Sequence, residues 1–123
     1  MKDITLKKDT IKLKLSNTEA NNFLWRDRTG LMHYIDDMST THLFYTLRMV
    51  WNHSMPKEMH IGGNTQKYVF TNFYTSQYMM QACFYIILAL NNRTDLSYKL
   101  QKEFQQMKDY FKTKIGNHYV ITP

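Results

Sequence analysis

The chain has 123 residues, of which 43% are hydrophobic and 15% aromatic, so general disorder is excluded and one domain with a genuine core is expected. Sixteen Lys and Arg against ten Asp and Glu give a formal charge of +6. The basic excess is +2 over residues 1–61 (9 against 7) and +4 over residues 62–123 (7 against 3), without a dense basic block, which favours acidic partners but selects none.

Residues 4–15 alternate, with Ile4, Leu6, Ile11, Leu13 and Leu15 set between lysines and threonines. That period predicts a β-hairpin turning at Lys8-Asp9-Thr10. Lys7, Lys12 and Lys14 fall on or beside its outer face, either protecting a strand edge or forming a phosphate-binding surface. A second hairpin is expected from residues 23–25 and 31–35, joined by Asp27-Arg28-Thr29-Gly30, where Gly30 can take a positive φ.

Ser39 is a helix N-cap preceded by Asp36 and Asp37, whose charges suit the positive end of a helix. The helix runs to about Asn52, with Leu43, Phe44, Leu47, Val50 and Trp51 on one face and Tyr45, Arg48 and Asn52 on the other. Pro56 follows its end. Residues 58–61 and 65–70 are expected to pair across Gly62-Gly63-Asn64.

Residues 78–90, YMMQACFYIILAL, are apolar on every side except at Gln81. As a helix they rise only about 20 Å, short of the roughly 20 residues a bilayer core needs. A central buried helix over 76–92 is therefore expected, closed by a left-handed Asn91 or Asn92. Thr94 or Asp95 caps a last helix whose stripe is Leu96, Leu100, Phe104, Met107 and Phe111. The tail from residue 115 packs as an extended segment or frays.

The expected architecture is a single α+β domain over 1–123, with N-terminal hairpins followed by three helices. The all-round apolar helix needs cover from every side, which makes a homo-oligomer an expectation. The lone Cys83 rules out an intrachain disulfide and suits a reducing compartment. The first 15 residues have no apolar signal region, and no membrane association is expected.

Catalytic and metal signatures are absent from the sequence. His42 and His53 are eleven residues apart, about 16 Å along a helix, too far to share an ion. Asp36 and Asp37 are adjacent and would diverge on an extended segment. No HExxH, CxxC, GxSxG or nucleotide-fold fingerprint occurs, so neither enzyme activity nor a metal or other cofactor is expected. The basic residues expected on the last helix (Arg93, Lys99, Lys102, Lys108, Lys112 and Lys114) do not converge on one stripe, the pattern of a solvated face. The candidate ligand-binding set is Trp25, Arg26, Arg28 and His33 on the second hairpin, with Arg48 on the first helix. An aromatic face with guanidinium groups can stack a base and hold a phosphate. The opposing reading has Trp25 closing the core and the arginines solvated.

Trp25-Arg-Asp-Arg-Thr-Gly30, Ile35-Asp-Asp-Met38, His42-Leu43 and Leu47-Arg-Met49 together resemble a pattern of small accessory, non-structural proteins of tailed bacteriophages. The resemblance spans residues 25 to about 53 and weakens after His42-Leu43, where Tyr45 stands near a place often held by Asn. It implies no catalytic residue. It implies a non-structural accessory protein made in an infected bacterial cytoplasm; with no catalytic constellation in the sequence, the expectation is a non-enzymatic protein that binds a host or anti-phage defence factor. Nine Met and nine Tyr could furnish such an interface. The alternative expectation is a binder of nucleic acid or of a nucleotide-type signalling ligand through the basic, aromatic hairpin.

Overall fold

Short hydroxyl side chains start all three helices of the computed structural model, which describes residues 14–16, 23–62, 69–115 and 120–122. Ser39 Oγ accepts the His42 N–H at the head of α1 (Thr40–Ser54). Thr75 Oγ1 accepts the Tyr78 N–H at the head of α2 (Ser76–Asn91), and Ser97 Oγ the Leu100 N–H at the head of α3 (Tyr98–Tyr110). Each satisfies an amide that the helix itself leaves orphaned. The chain is α+β, with β1 (Lys14–Ser16), β2 (Leu24–Arg26) and β3 (Met32–Tyr34) before the helices and β4 (Val120–Thr122) after them.

β2 and β3 form the expected antiparallel hairpin, pairing Leu24 with Tyr34, Trp25 with His33 and Arg26 with Met32. Gly30 takes φ +91°, a region costly to residues with a Cβ. The hairpin predicted over 4–15 lies largely outside the described residues. Its described end, Lys14–Ser16, pairs in parallel with β4, and the tail is thus an added strand. Strand pairing at that sequence distance leaves no local signal.

α1 and α2 make the most extensive helix contact. Leu43, Phe44, Leu47, Val50 and Trp51 of α1 are fully buried, as the spacing required. They face Met79, Met80, Cys83, Ile86 and Leu90 of α2 in one core. α3 adds Leu100, Phe104 and Met107, and the π-helical turn Phe111–Ile115 that follows sets Phe111 edge-on to Phe84 at 4.1 Å between ring centres. α2 is thus covered within one chain, with only Leu88 and Ala89 among its apolar residues beyond Tyr85 left partly exposed. Covering α2 therefore requires no second subunit. No helix among the described residues is long and apolar enough to cross a membrane.

Three expectations about connections are corrected. Residues 58–61 do not form a strand: Lys57–Met59 is a 3-10 turn, and residues 63–68 lie outside those described. The turn is held because Trp51 Nε1–H donates to the Met59 carbonyl at 2.8 Å, while the Asn52 amide clasps both backbone groups of Ile61. α2 ends with Asn92 in a right-handed conformation, φ −95°, not a left-handed one. α3 is capped by Ser97 and not by Thr94 or Asp95, because Asp95 is engaged elsewhere. Its Oδ1 accepts the Thr40 hydroxyl at 2.6 Å.

The same region holds Arg93, which lies in the connection and not on α3. Its Nη1 donates to the Met38 carbonyl and Thr40 Oγ1, and Nη2 approaches the Ile35 carbonyl. This clamp ties the α2–α3 connection to the start of α1. The charge of Arg93 is thereby used on backbone carbonyls rather than offered to an external anion.

Candidate functional site

The turn after β2 is organised by Asp27. Its Oδ1 accepts the Thr29 N–H and hydroxyl and the Leu31 N–H, and Oδ2 meets His33 Nε2 at 2.8 Å. The Thr29 hydroxyl, then His33, hold the Asp27 carboxyl well below the usual carboxylate range. The carboxylate is therefore hydrogen-bonded within its own turn, and its negative charge stays on the cavity wall between Arg26 and Arg28.

The outer edge of β2 is met by two tyrosine hydroxyls. Tyr78 Oη donates to the Leu24 carbonyl at 2.7 Å and accepts the Arg26 N–H at 2.9 Å. Tyr74 Oη donates to the carbonyls of Arg26 and Asp27. Burial pushes the Tyr78 phenol up to about 12 and raises Tyr74 as well, so both keep the protons these bonds need. Phe23, Phe73, Tyr74 and Tyr78 form an aromatic cluster with Trp25, which lies parallel to Tyr78 at 5.8 Å between ring centres.

Between this hairpin and α1 lies a cavity of about 670 Å³. One wall is a helical stripe of α1, His42, Tyr45, Thr46, Met49 and Asn52, at spacings of three and four. Trp25 to Arg28 line the hairpin side, and Val69 to Thr71 with Tyr74 complete the other wall. The walls thus combine aromatic and apolar side chains with polar ones, among them Asp27, Asn52 and three guanidinium-bearing residues, Arg26, Arg28 and Arg48. That size and lining suit a small molecule carrying an aromatic body and an anionic end.

The three arginines differ in how free they are. Arg48 Nη1 pairs with Glu103 of α3 at 2.8 Å, and its guanidinium lies 4.9 Å from the Tyr45 ring centre. It approaches Gly62 so closely that an added Cβ there would sit 3.0 Å from Nη1. The Arg26 guanidinium stacks over the Phe73 ring at 4.7 Å. Neither Arg26 nor Arg28 has a carboxylate partner among the described residues, and Arg28 is exposed.

Four of the five residues singled out from sequence, Trp25, Arg26, Arg28 and Arg48, are thus brought to one cavity. His33 is not among its lining residues. It is turned to Asp27, which the turn geometry requires and the linear spacing concealed. Trp25 is also corrected in role: it is 2% exposed, with its ring stacked in the aromatic cluster, and forms a wall instead of an open stacking platform. Sequence reading missed Tyr45, Phe70 and Tyr74 as cavity walls. The i, i+3, i+4, i+7 stripe of α1 was the available signal for Tyr45, but nothing local announced residues 69–74.

Groups with catalytic potential are dispersed. Asp36 and Asp37 are exposed in the 3-10 turn Ile35–Asp37. Cys83 is sealed in the core, and burial pushes its thiol up to about 12, which keeps it in the unreactive neutral form. His42 contributes its backbone N–H to the Ser39 cap, while its exposed ring lies on the cavity rim. No family model, no curated protein and no solved structure matches this chain.

Proposed function

We propose that this protein is a non-enzymatic binder of a small anionic, nucleotide-type ligand, seated in the cavity between the hairpin and α1. The observation that carries the reading is the juxtaposition of two arginines without a carboxylate partner among the described residues, Arg26 and Arg28, with a cavity of about 670 Å³ lined in part by aromatic rings. The ligand's phosphate sits against those guanidinium groups, which match it bidentately. Its planar part lies along Tyr45, Phe70 and Tyr74. In the infected bacterial cytoplasm that the bacteriophage resemblance implies, such binding withdraws a signalling nucleotide from the host. A concave cavity favours a mononucleotide or dinucleotide over a continuous strand of nucleic acid.

Isothermal titration with AMP, a cyclic dinucleotide, adenosine and inorganic phosphate tests the reading. A phosphorylated nucleoside is expected to bind with Kd on the order of 10 μM, and adenosine at least about tenfold more weakly. Arg26→Ala combined with Arg28→Ala is expected to weaken the nucleotide by about 30-fold or more. Absence of heat with every nucleotide, or affinity indifferent to both arginines, overturns it.

A second reading is direct binding of a host or defence protein. It is favoured by Val69 and Phe73, which are 98% and 44% exposed near the cavity. Capture of a host protein that a nucleotide does not displace, and that Val69→Lys abolishes, would select this reading over the first.

A further inference from the structure

The two edges of the hairpin are treated differently. On β2, the N–H of Arg26 and the carbonyls of Leu24 and Arg26 point outward and are taken by Tyr78 and Tyr74. Because N–H and C=O of one residue point the same way in an antiparallel strand, Trp25 and His33 are the hydrogen-bonded pair. The Asp27 N–H to Leu31 carbonyl bond continues the same alternation. By that parity, the backbone groups of Met32 and Tyr34 face away from β2. The Tyr34 carbonyl serves the Asp37 N–H at the head of the 3-10 turn Ile35–Asp37, which leaves the Met32 N–H, the Met32 carbonyl and the Tyr34 N–H unbonded among the described residues. Met32 and Tyr34, whose side chains share one face of the sheet, are also 42% and 49% exposed, and Leu31 at the start of the strand is 60% exposed.

We infer that the β3 edge pairs with the β3 edge of a second copy of this chain. The open edge has one register that uses all its free groups. Antiparallel pairing about a two-fold axis at His33 sets Met32 opposite Tyr34 of the other copy, twice: each Tyr34 N–H donates to a Met32 carbonyl, and each Met32 N–H to the second lone pair of a Tyr34 carbonyl. Met32 of each copy then packs beside Tyr34 of the other on one face of the joined sheet.

Charge supports this occupant. In that register the Asp27-Arg28-Thr29-Gly30 turn of one copy lies beside the Ile35–Asp37 turn of the other. The exposed Arg28 thereby meets the exposed Asp36 and Asp37. Arg28 has enough N–H donors to serve both those carboxylates and a ligand at the cavity. The interface shares Arg28 with the proposed ligand site, and Met32, which does not line the cavity, separates the two: Met32→Pro reads the dimer without touching a ligand-binding residue. Its short edge places it among weak, reversible contacts.

Sedimentation velocity of the full chain over a concentration series provides the test, with dimerisation expected at a Kd on the order of 10 μM. Met32→Pro removes an outward N–H without breaking a β2 bond and is expected to weaken the dimer by about tenfold or more. Arg28→Glu is expected to weaken it similarly, and Arg28→Glu with Asp36→Lys and Asp37→Lys to restore it. The restored pairing separates a lost contact from a lost fold. A monomer at every concentration overturns the inference, as does a dimer indifferent to both Met32→Pro and Arg28→Glu. Pairing only with a strand of another protein also overturns it.

Discussion

Trp51 and Trp25 mark two regions built from similar residues to different ends. Trp51 is fully buried between α1 and α2, and its indole N–H is fixed on the Met59 carbonyl. It belongs to the core of buried aliphatic, aromatic and sulfur-bearing side chains. Trp25 is nearly as buried, yet it stands in a wall. It is stacked on tyrosines whose hydroxyls hold backbone groups of β2 and of the turn that follows. The first region derives its strength from apolar area removed from water; the second depends on a few hydrogen bonds that position arginines beside a cavity. The comparison teaches that aromatic content alone does not distinguish a core from a binding wall. The destination of the polar atoms does.

Truncation is the sharpest test of that contrast. Leu47→Ala, in the dry helix pair, is expected to cost about 2–5 kcal/mol in denaturant unfolding, because a closed cavity remains. Met49→Ala, two residues on and roughly on the other side of the helix against the cavity, should cost less than half as much, since solvent already reaches that space. Equal costs would erase the distinction between the two regions.

Tyr78→Phe comes next. It strips one hydroxyl that serves both the Leu24 carbonyl and the Arg26 N–H, at an expected cost of about 1–3 kcal/mol. Hydrogen exchange should show the loss concentrated in β2, with α1 and α2 amides little changed. Uniform acceleration across the helices would mean that the hairpin and core are one cooperative unit.

Gly62→Ala is expected to cost roughly 1–2 kcal/mol, because φ is +77° there and the new Cβ would press on Arg48. Its second effect is on the cavity: displacement of Arg48 from Glu103 should alter nucleotide affinity, whereas Leu47→Ala in a still-folded protein should not. Titration of both variants reads that difference directly.

The smallest expected effect is in pH dependence. Asp27 has its carboxyl held below its ordinary value in the folded state, so its contribution is complete above about pH 4 and is lost as pH falls toward the folded value. Melting temperatures of the wild type and Asp27→Asn should differ by a constant amount from pH 7 to about pH 5, then converge on further acidification. A gap that widens in acid would contradict the turn's hydrogen-bond assignment.

The hairpin, the three helices and their buried faces were legible because each rests on short-range rules. Gly30 announced a turn, Ser39 a cap, and the Leu43-to-Trp51 spacing a buried face. The start of α3 was misplaced because Thr94 and Asp95 are good caps by composition, but Asp95 forms a bond with Thr40, 55 positions away. His33 was grouped with the arginines by its chemistry and was claimed by Asp27 through a turn.

By itself, then, the sequence determined where helices begin, which of their faces are apolar and where the β2–β3 chain reverses. Those outcomes follow from hydrogen bonds and side-chain periods within a few residues. Tertiary structure decided that β1 pairs with β4, that Arg93 is spent on carbonyls at the head of α1, and that Arg26 and Arg28 border the same cavity as Tyr45 and Phe70. Each of these joins residues distant in the chain, and their meeting depends on how the packed helices orient the segments between them.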